Sequence, residues 1–381
     1  MKIKKEVKNI FKKIPKEIKY ILFLFLITRI ALTIIGVMAQ KLLNKGAHLT
    51  NYLLLNIWSV WDSKRYAEIA VNGYPTSMAS PDYWYNGFFP LYSLFIRIVD
   101  LFFRSPYLSG IIVSNIFLII AAIFLYKLVK LNSNKETSLR SIKYLFLFPT
   151  AFILSGVFSE SLFLALLIII FYYAKKENWL LTGILGFLLT LTRPYGVVVI
   201  FPLLYEYYRS KDFKIRKTEI DIIYFLLIPL GLVIFFSYLN SLTGDFFTYI
   251  HLKEVGGHTL SDPLRVIRNA IYAGIRGLSH GTEKLFTGIY AITMISLLVI
   301  FYKKIDFSHL LMGLMLVFIP IMSGDIAVRA IIRYMAVLFP LFIILAKITE
   351  KKEIDTYLTI FLALIQGFLM VFWTIQSYLI V

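Results

Sequence analysis

The chain has 381 residues, of which 59% are hydrophobic, and its mean hydropathy is +0.76. This apolar content is too high for a soluble domain and indicates a polytopic membrane protein. The net charge is +18, but Lys and Arg fall mostly in short segments between apolar stretches, so we attribute them to membrane orientation and predict no nucleic-acid partner. The absence of cysteine excludes disulfides, Cys-ligated zinc, iron–sulfur clusters and thiol nucleophiles.

The N-terminus predicts a retained signal anchor. Lysines crowd the segment before Tyr20, and the apolar run 20–39 is longer than the core of a signal peptide. Cleavage after Val37-Met38-Ala39 is the alternative. A lysine-rich N-terminus favours the cytoplasmic side, so the first span leads outward and the first outer loop, 40–105, lies on the outer face.

The next apolar segment, 90–103, is predicted to be an interfacial helix and not a span. As a helix it reaches only about 21 Å, whereas the hydrocarbon core of a bilayer is about 30 Å thick. It contains Arg97 and Asp100 and starts at Pro90, a residue suited to a first helical turn. The chain then returns through 107–130, which brings the basic cluster of residues 127–143 to the inner side.

Continuing in this way, the sequence predicts an all-α polytopic integral membrane protein with about eleven transmembrane helices and an outside C-terminus. The predicted spans are 20–39, 107–130, 142–158, 159–174, 179–192, 194–208, 222–241, 285–302, 307–322, 333–346 and 357–379. We divide the chain into a catalytic transmembrane module, 1–241, and a second part, 242–381, with another outer loop and the C-terminal helices.

Four consecutive predicted spans, within 142–208, are short for a bilayer, so their outer ends should stop below the membrane surface and line a watery cavity. The outer turns between them carry Glu160 and Arg193. The first outer loop adds Trp61-Asp62-Ser63-Lys64-Arg65, a carboxylate beside a tryptophan and two basic residues. These three segments are the candidate site.

Six short motifs, in order, resemble the landmarks of the PIG-V-type mannosyltransferases, the family of GPI mannosyltransferase II within the GT-C glycosyltransferases. The resemblance extends from about Arg29 to Phe342, and the family includes prokaryotic relatives of GPI mannosyltransferase II. The family usually has proline where this chain has Ser93. The motifs are Trp61-Asp62-Ser63, Gly73-Tyr74-Pro75, Phe88-Phe89-Pro90-Leu91-Tyr92, Ser159-Glu160-Ser161-Leu162, Arg193-Pro194-Tyr195-Gly196, and Arg333-Tyr334 with Phe339-Pro340-Leu341-Phe342.

The resemblance implies a GT-C fold and transfer of a hexose, mannose by analogy, from a polyprenyl-phosphate-linked donor. The acceptor would be a lipid-linked or cell-surface glycan on the outer face, and the anomeric centre would be inverted. Asp62 is the expected catalytic base, since a sugar hydroxyl is a poor nucleophile and needs a positioned carboxylate. A lipid phosphate is a weak base, so the site needs cations to stabilise its departure.

Several residues are assigned to these tasks. Arginines suit bidentate phosphate contacts. Glu160 is a second catalytic candidate or a contact for a divalent metal, Mg or Mn, and no other cofactor is predicted. The expected substrate-binding residues are Trp61, Lys64, Arg65, Tyr92, Arg193, Arg333 and Tyr334, with Trp58 and Trp84 as further sugar-stacking candidates.

Each candidate also has a structural interpretation. Asp62 could cap a helix or pair with Arg65, and Glu160 could serve the dipole of a helix that starts after Ser159. Arg193 could anchor the chain at the membrane surface. Arg29, inside the first span, is expected to pair with other parts of the protein.

Two other functional classes remain open. A transporter or flippase of a lipid-linked anionic substrate would favour inverted repeats and charges near the bilayer midplane, whereas the charges here gather at outer ends. A noncatalytic scaffold would explain the bundle but not the Trp61-Asp62 loop. Composition favours a prokaryotic plasma membrane, or the ER membrane in a eukaryote, with a cytoplasmic N-terminus and an extracytoplasmic active site.

Overall fold

The computed structural model describes residues 14–43, 53–325 and 330–380, and within these ranges the chain is helical and contains no β-strand. The α-helices are connected by short loops and 3₁₀ turns. In chain order they are α1 Lys16–Leu43, α2 Leu53–Asn56, α3 Ser63–Asn72, α4 Pro90–Phe103, α5 Pro106–Asn132, α6 Lys135–Leu147, α7 Glu160–Ala174, α8 Trp179–Thr192, α9 Ile200–Ser210, α10 Leu227–Thr243, α11 Thr248–Val255, α12 Pro263–Ile275, α13 Gly281–Ile300, α14 Phe307–Met322, α15 Ile331–Tyr334, α16 Phe339–Ile348 and α17 Lys352–Thr374.

Five helical segments of the described chain are long and apolar enough to cross a membrane, namely α1, α5, α13, α17 and the segment Ile220–Thr243 that ends in α10. A sixth is reached if Ile331–Val337 and Phe339–Ile348, bent by 69°, are counted as one span. The helices α7, α8 and α14 are apolar but shorter. These helices confirm the prediction of an all-α polytopic membrane protein. The described chain has five or six long spans, fewer than the eleven or so predicted from the sequence.

The predicted span 142–158 is not one helix. Helix α6 ends at Leu147, and Phe148 is extended, with φ −56° and ψ 139°. The reason is Pro149, because the residue before a proline is disfavoured in the helical conformation. The following residues to Ser159 are irregular but almost completely buried in the centre of the bundle.

Polar side chains from the surrounding helices satisfy this buried irregular backbone. Arg29 of α1 donates to the Ala151 carbonyl at 3.0 Å and to Ser155 Oγ at 2.8 Å. Gln366 of α17 donates to the carbonyls of Phe146 and Phe148, each at 2.9 Å. Irregular backbone inside a membrane protein is stable only where such partners replace water, so the arginine within the first span has the structural role that was expected of it.

From residue 53 onward, the predicted first outer loop forms α2, α3, a 3₁₀ turn at Tyr83–Gly87, and α4. Helix α4 begins at Pro90, as predicted, and ends at Arg104, whose left-handed conformation (φ 48°) stops it. Its exposed side includes Leu101 and Phe102, which are 75% and 81% exposed. Such a face suits contact with lipid acyl chains at an interface.

The predicted second outer loop, 242–284, contains α11 and α12. Asp262 caps α12 by accepting hydrogen bonds from the backbone amides of Leu264 and Arg265. Helix α11 packs against the 3₁₀ turn Tyr83–Gly87 of the first outer loop. The two outer loops therefore meet, and the space between them is the candidate site.

Candidate active site

Asp62 lies just before α3, where a helix-capping residue would stand, but its side chain makes no capping hydrogen bond. One carboxylate oxygen pairs with Arg65, and the other accepts from Arg333 Nη1 at 2.5 Å. Burial acts to raise the pKa of Asp62, but the charges of Arg333 and Arg65 outweigh it, so this pKa lies below its usual value. Asp62 is therefore an ionised carboxylate held between two guanidinium groups.

Glu160 is the first residue of α7 and is completely buried. It forms an ion pair with Arg193, and its Oε1 lies 3.2 Å from Arg333 Nε. Neither carboxylate oxygen has a partner at hydrogen-bonding angles, so these are charge contacts without directional alignment. Glu160 thus lies behind two arginines and serves as their shared counter-ion, and the positive end of the α7 dipole adds to its stabilisation.

Arg193 is fixed at the C-terminal end of α8. Its Nε donates to Ser159 Oγ at 2.8 Å, and its Nη1 donates to the Tyr195 hydroxyl. The turn after it is tight, because a Cβ at Gly196 would lie 2.7 Å from the Leu189 carbonyl oxygen. Any larger residue at position 196 would push the turn away from α8 and displace the guanidinium.

A tyrosine of α3 joins the two outer turns. The Tyr66 hydroxyl lies 3.0 Å from Ser159 Oγ, which also receives the hydrogen bond from Arg193. Burial raises the pKa of Tyr66 to about 12, so the hydroxyl stays protonated at neutral pH. The ring packs edge to face against Phe88 and Tyr92, which fixes its position.

These groups surround a cavity of about 490 Å³ between the two outer loops. A volume of this size is typical of a small-molecule site. Its charged and histidine lining, among the residues that the structure describes, is Asp62, Arg65, Arg193, Lys253, His258 and Arg333, and its aromatic lining is Tyr66, Trp84, Phe88, Phe89, Tyr195, Tyr249 and Tyr334.

The structure brings together most of the predicted site residues and separates others from it. Asp62, Arg65, Arg193, Arg333 and Tyr334 line the cavity, and Glu160 lies behind its arginines. Of the predicted sugar-stacking tryptophans, Trp84 lines the cavity with 45% of its surface exposed.

The remaining predicted residues have other surroundings. Tyr92 is completely buried, and its hydroxyl bonds to the Gly110 carbonyl and Ser114 Oγ. Lys64 is exposed on the outer side of α3 and is not part of the cavity lining. Trp61 packs on Tyr378 and has a left-handed backbone, with φ 54°. For a bulky residue this conformation is strained, and it turns the chain so that Asp62 faces the arginines.

Sequence reasoning missed several cavity residues, of which Tyr66, Tyr249, Lys253 and His258 carry polar side chains. Tyr66 follows Asp62 by four positions, so a helix starting at Ser63 brings both to one side, and this signal was available. Tyr249, Lys253 and His258 come from the second outer loop. The sequence predicted an outer loop in this part of the chain, but nothing local in the sequence indicates that it folds over the first loop.

The side chains present do not fit a divalent metal. No group of three or more His, Asp or Glu residues that could hold an ion occurs in the described part of the chain. Asp62 and Glu160 each face guanidinium groups, whereas Mg²⁺ and Mn²⁺ require about six ligands, mainly oxygens. The geometry therefore gives no support to the predicted metal contact at Glu160.

The chain matches no protein-family model, and no curated protein matches it in sequence. Its function must therefore be argued from the residues of the cavity.

Proposed function

We propose that this protein is a membrane glycosyltransferase that uses a polyprenyl-phosphate-linked hexose, mannose by the motif resemblance, as its donor. The acceptor is a lipid-linked or cell-surface glycan. The observation that carries the proposal is the ionised carboxylate of Asp62, held between cavity arginines in a space large enough for a sugar phosphate. Transfer to a hydroxyl needs a base and a cationic phosphate site, and these residues have both chemistries.

In the proposed reaction Asp62 takes the proton of the acceptor hydroxyl. The acceptor oxygen forms a bond to the anomeric carbon while the bond from that carbon to the phosphate oxygen breaks. The lipid phosphate leaves with both electrons of that bond, so its charge increases by one as Asp62 becomes neutral. A single displacement inverts the anomeric centre, so a β-linked donor gives an α-linked product.

Arg193 and Arg333 are the proposed phosphate ligands. Glu160 holds both from behind, so their charged ends are fixed before the substrate arrives. Fixed cations stabilise the developing phosphate charge without reorganisation during the reaction. Tyr66, through Ser159, is a positioning residue for Arg193.

Asp62 must also be released from its own arginines before it can accept a proton. Arg65 and Arg333 pair with its two oxygens, and Arg333 lines the same cavity as Arg193. A donor phosphate bound there competes for these guanidinium groups and weakens their hold on Asp62. The donor would thus bind first and activate the base for the acceptor.

The proposed architecture is that of a GT-C glycosyltransferase with about eleven spans, in which the short helices α7, α8 and α14 end at the watery cavity. In this arrangement the N-terminus is cytoplasmic and the cavity faces the outside of the membrane, a prokaryotic plasma membrane by composition. The lysine distribution supports this orientation through the positive-inside rule.

The test is turnover of synthetic polyprenyl-phosphate mannose by the purified protein with a glycoside acceptor. Asp62→Asn keeps the side-chain shape but cannot act as a base, and we expect transfer to fall by about 10²- to 10⁴-fold. Asp212→Asn is the control, because Asp212 is also an ion-paired aspartate but pairs with Lys217 at an exposed site away from the cavity lining. Transfer by Asp62→Asn at the rate of the parent protein would remove Asp62 as the base.

A further inference from the structure

One side of the cavity is formed by α11 and the residues just after it, and we call it the α11 wall. Its lining residues are Tyr249, Leu252, Lys253, Gly256 and His258. It carries a cation without a carboxylate partner among the described residues. Lys253 is half-buried and lines the cavity, and its Nζ lies 5.5 Å from the ring centroid of Tyr249. None of the ion pairs formed by the described residues includes it. Its charge does act on Asp62 across the cavity, as one of the influences that lower the pKa of that carboxyl.

The charges of the cavity do not balance. The described lining has four cationic side chains, Arg65, Arg193, Arg333 and Lys253. The negative charges are two carboxylates, Asp62 in the lining and Glu160 behind the arginines. The donor proposed above is a phosphodiester with one negative charge, which leaves one positive charge unmatched. The proposed transfer does not change this, since the phosphate gains the charge that Asp62 loses. Uncompensated charge in a partly enclosed site is unfavourable, so a second anion is expected.

Lys253 is separated in the structure from the cations assigned to the donor. Arg193 and Arg333 are held by Glu160 at the start of α7, whereas Lys253 belongs to the second outer loop. Its helix, α11, packs on the turn Tyr83–Gly87, which presents the exposed Trp84 ring to the cavity. An indole face beside a cation is a suitable surface for a sugar with a nearby negative group.

His258 completes this wall. Burial and the charge of Lys253 lower the pKa of His258, while a hydrogen bond to the Ser323 carbonyl acts against them. The imidazole is therefore neutral at neutral pH and leaves Lys253 as the one full charge among the described groups of the α11 wall.

We propose that the acceptor is an anionic glycan, bearing a phosphate or a carboxylate near the attacking hydroxyl, and that Lys253 binds this negative group while Trp84 stacks on the sugar. This inference rests on the proposed function, because it deepens the definition of the same site. A phosphate-bearing glycolipid and a uronic acid glycan are the two sources of the required charge.

The experiment measures equilibrium binding of three soluble glycosides to the purified protein, with saturating polyprenyl methyl phosphate present to occupy the donor arginines, because this phosphodiester has the single negative charge of the donor. The probes are methyl α-mannoside, its 6-phosphate and methyl α-glucuronide. A charge-assisted hydrogen bond contributes about 1.5–3 kcal/mol, so at least one anionic probe should bind about tenfold or more tightly than the neutral one. The anion that shows the preference identifies the source.

Lys253→Gln should abolish this preference and leave the affinity for the neutral glycoside and for polyprenyl methyl phosphate unchanged. Lys253→Arg keeps the charge and should retain the preference. Lys284→Gln, in α13 of the same half of the chain but not in the cavity lining, is the matched control and should behave like the parent.

Equal binding of all three probes by the parent protein would overturn the inference, and this result needs no variant. A Lys253→Gln protein that no longer binds polyprenyl methyl phosphate but keeps its preference among the glycosides would assign Lys253 to the donor and also overturn the inference. If the protein binds an anionic glycoside more tightly but transfers no sugar, the anionic site is supported and the proposed transferase function is refuted.

Discussion

Helix α7 has a charged cluster at each end, and the two clusters differ in charge balance and in access to a cavity. We interpret the first as a ligand site and the second as a set of structural ion pairs. At its N-terminus, Glu160 begins the cavity cluster, which we define as Asp62, Arg65, Glu160, Arg193 and Arg333. At the other end, about 22 Å away by the helical rise, Lys175 belongs to a second cluster of Lys175, Glu206, Arg209, Asp306 and Ser308. We call this second group the closed cluster.

The closed cluster is balanced. Lys175 lies 2.8 Å from Glu206 and also pairs with Asp306, while Arg209 lies 2.7 Å from Glu206. Two cations thus face two carboxylates, and the side chains of Lys175 and Glu206 are 5% and 1% exposed. The cavity cluster has three cations against two carboxylates and opens into a space of about 490 Å³. An excess of fixed charge facing an open space indicates a ligand, and satisfied charge without such a space indicates packing.

The largest expected effect concerns the closed cluster. Glu206→Gln leaves Lys175 and Arg209 with only Asp306, and breaking one partner from a buried pair costs about 3–5 kcal/mol. We expect a loss of this size in the free energy of unfolding, measured in mixed detergent–SDS micelles, while the Michaelis constant for the donor stays within about twofold of the parent.

Glu160→Gln is the matched change in the cavity cluster. It removes the counter-ion shared by Arg193 and Arg333, so donor turnover should fall as well as stability. The comparison fails if Glu206→Gln weakens donor binding without lowering stability, because the closed cluster would then act on the ligand.

A smaller effect is expected from changing the cation while keeping its charge. Arg193→Lys loses the planar fork that suits a phosphate, and one lost charge-assisted hydrogen bond corresponds to about 1.5–3 kcal/mol, or about 10- to 100-fold. The Michaelis constant for polyprenyl-phosphate mannose should rise by this factor.

Arg209→Lys is the control from the closed cluster, where the side chain is 43% exposed and contacts only protein carboxylate. We expect less than about a twofold change in the same constant, since exposed ion pairs contribute little. If Arg193→Lys also binds the donor like the parent, Arg193 is an anchor and the cavity cluster has lost one of its proposed ligands.

The sequence predicted those features of the fold and of the cavity cluster that depend on local pattern. Apolar run length indicated a helical membrane protein, and Pro90 correctly marked the start of α4. Asp62 and Arg193 were selected because each stands at a break between apolar segments. The break at Pro149 was missed because hydropathy alone continues through it, although the proline itself was a usable signal.

The remaining features depend on contacts between distant parts of the chain. Asp62 and Arg333 are 271 residues apart, and no local period connects them. Tyr92 was assigned to the substrate from its motif, whereas its buried hydroxyl binds Ser114 of α5. The contribution of Lys253 and His258 required the fold of the second outer loop. The sequence thus suggested the pairing of Asp62 with its neighbour Arg65, but not its pairing with the distant Arg333 or that of Glu160 with Arg193.

The smallest expected effect is a shift in pH dependence, and it tests whether the pairing in the cavity cluster changes when a ligand binds. In the free protein, Arg333 and Arg65 hold the pKa of Asp62 below its usual value in spite of burial. A bound donor phosphate would take up part of their charge, and the effect of burial would then raise the pKa of Asp62. Loss of one such partner is worth about one pH unit or more.

In its proposed role as the base, Asp62 acts only when ionised, so activity should be lost as pH falls through its pKa. The dependence of kcat/KM for the donor reports the free protein, and that of kcat reports the complex. The acid limb of kcat should therefore lie at higher pH than the acid limb of kcat/KM, by about one unit or more. Arg65→Gln should move the kcat/KM limb upward, because the free protein then lacks one of the two cations. If the acid limbs of kcat and kcat/KM coincide in the parent protein, the arginines remain paired with Asp62 in the complex. The ion pairs of the cavity cluster would then be as fixed as those of the closed cluster.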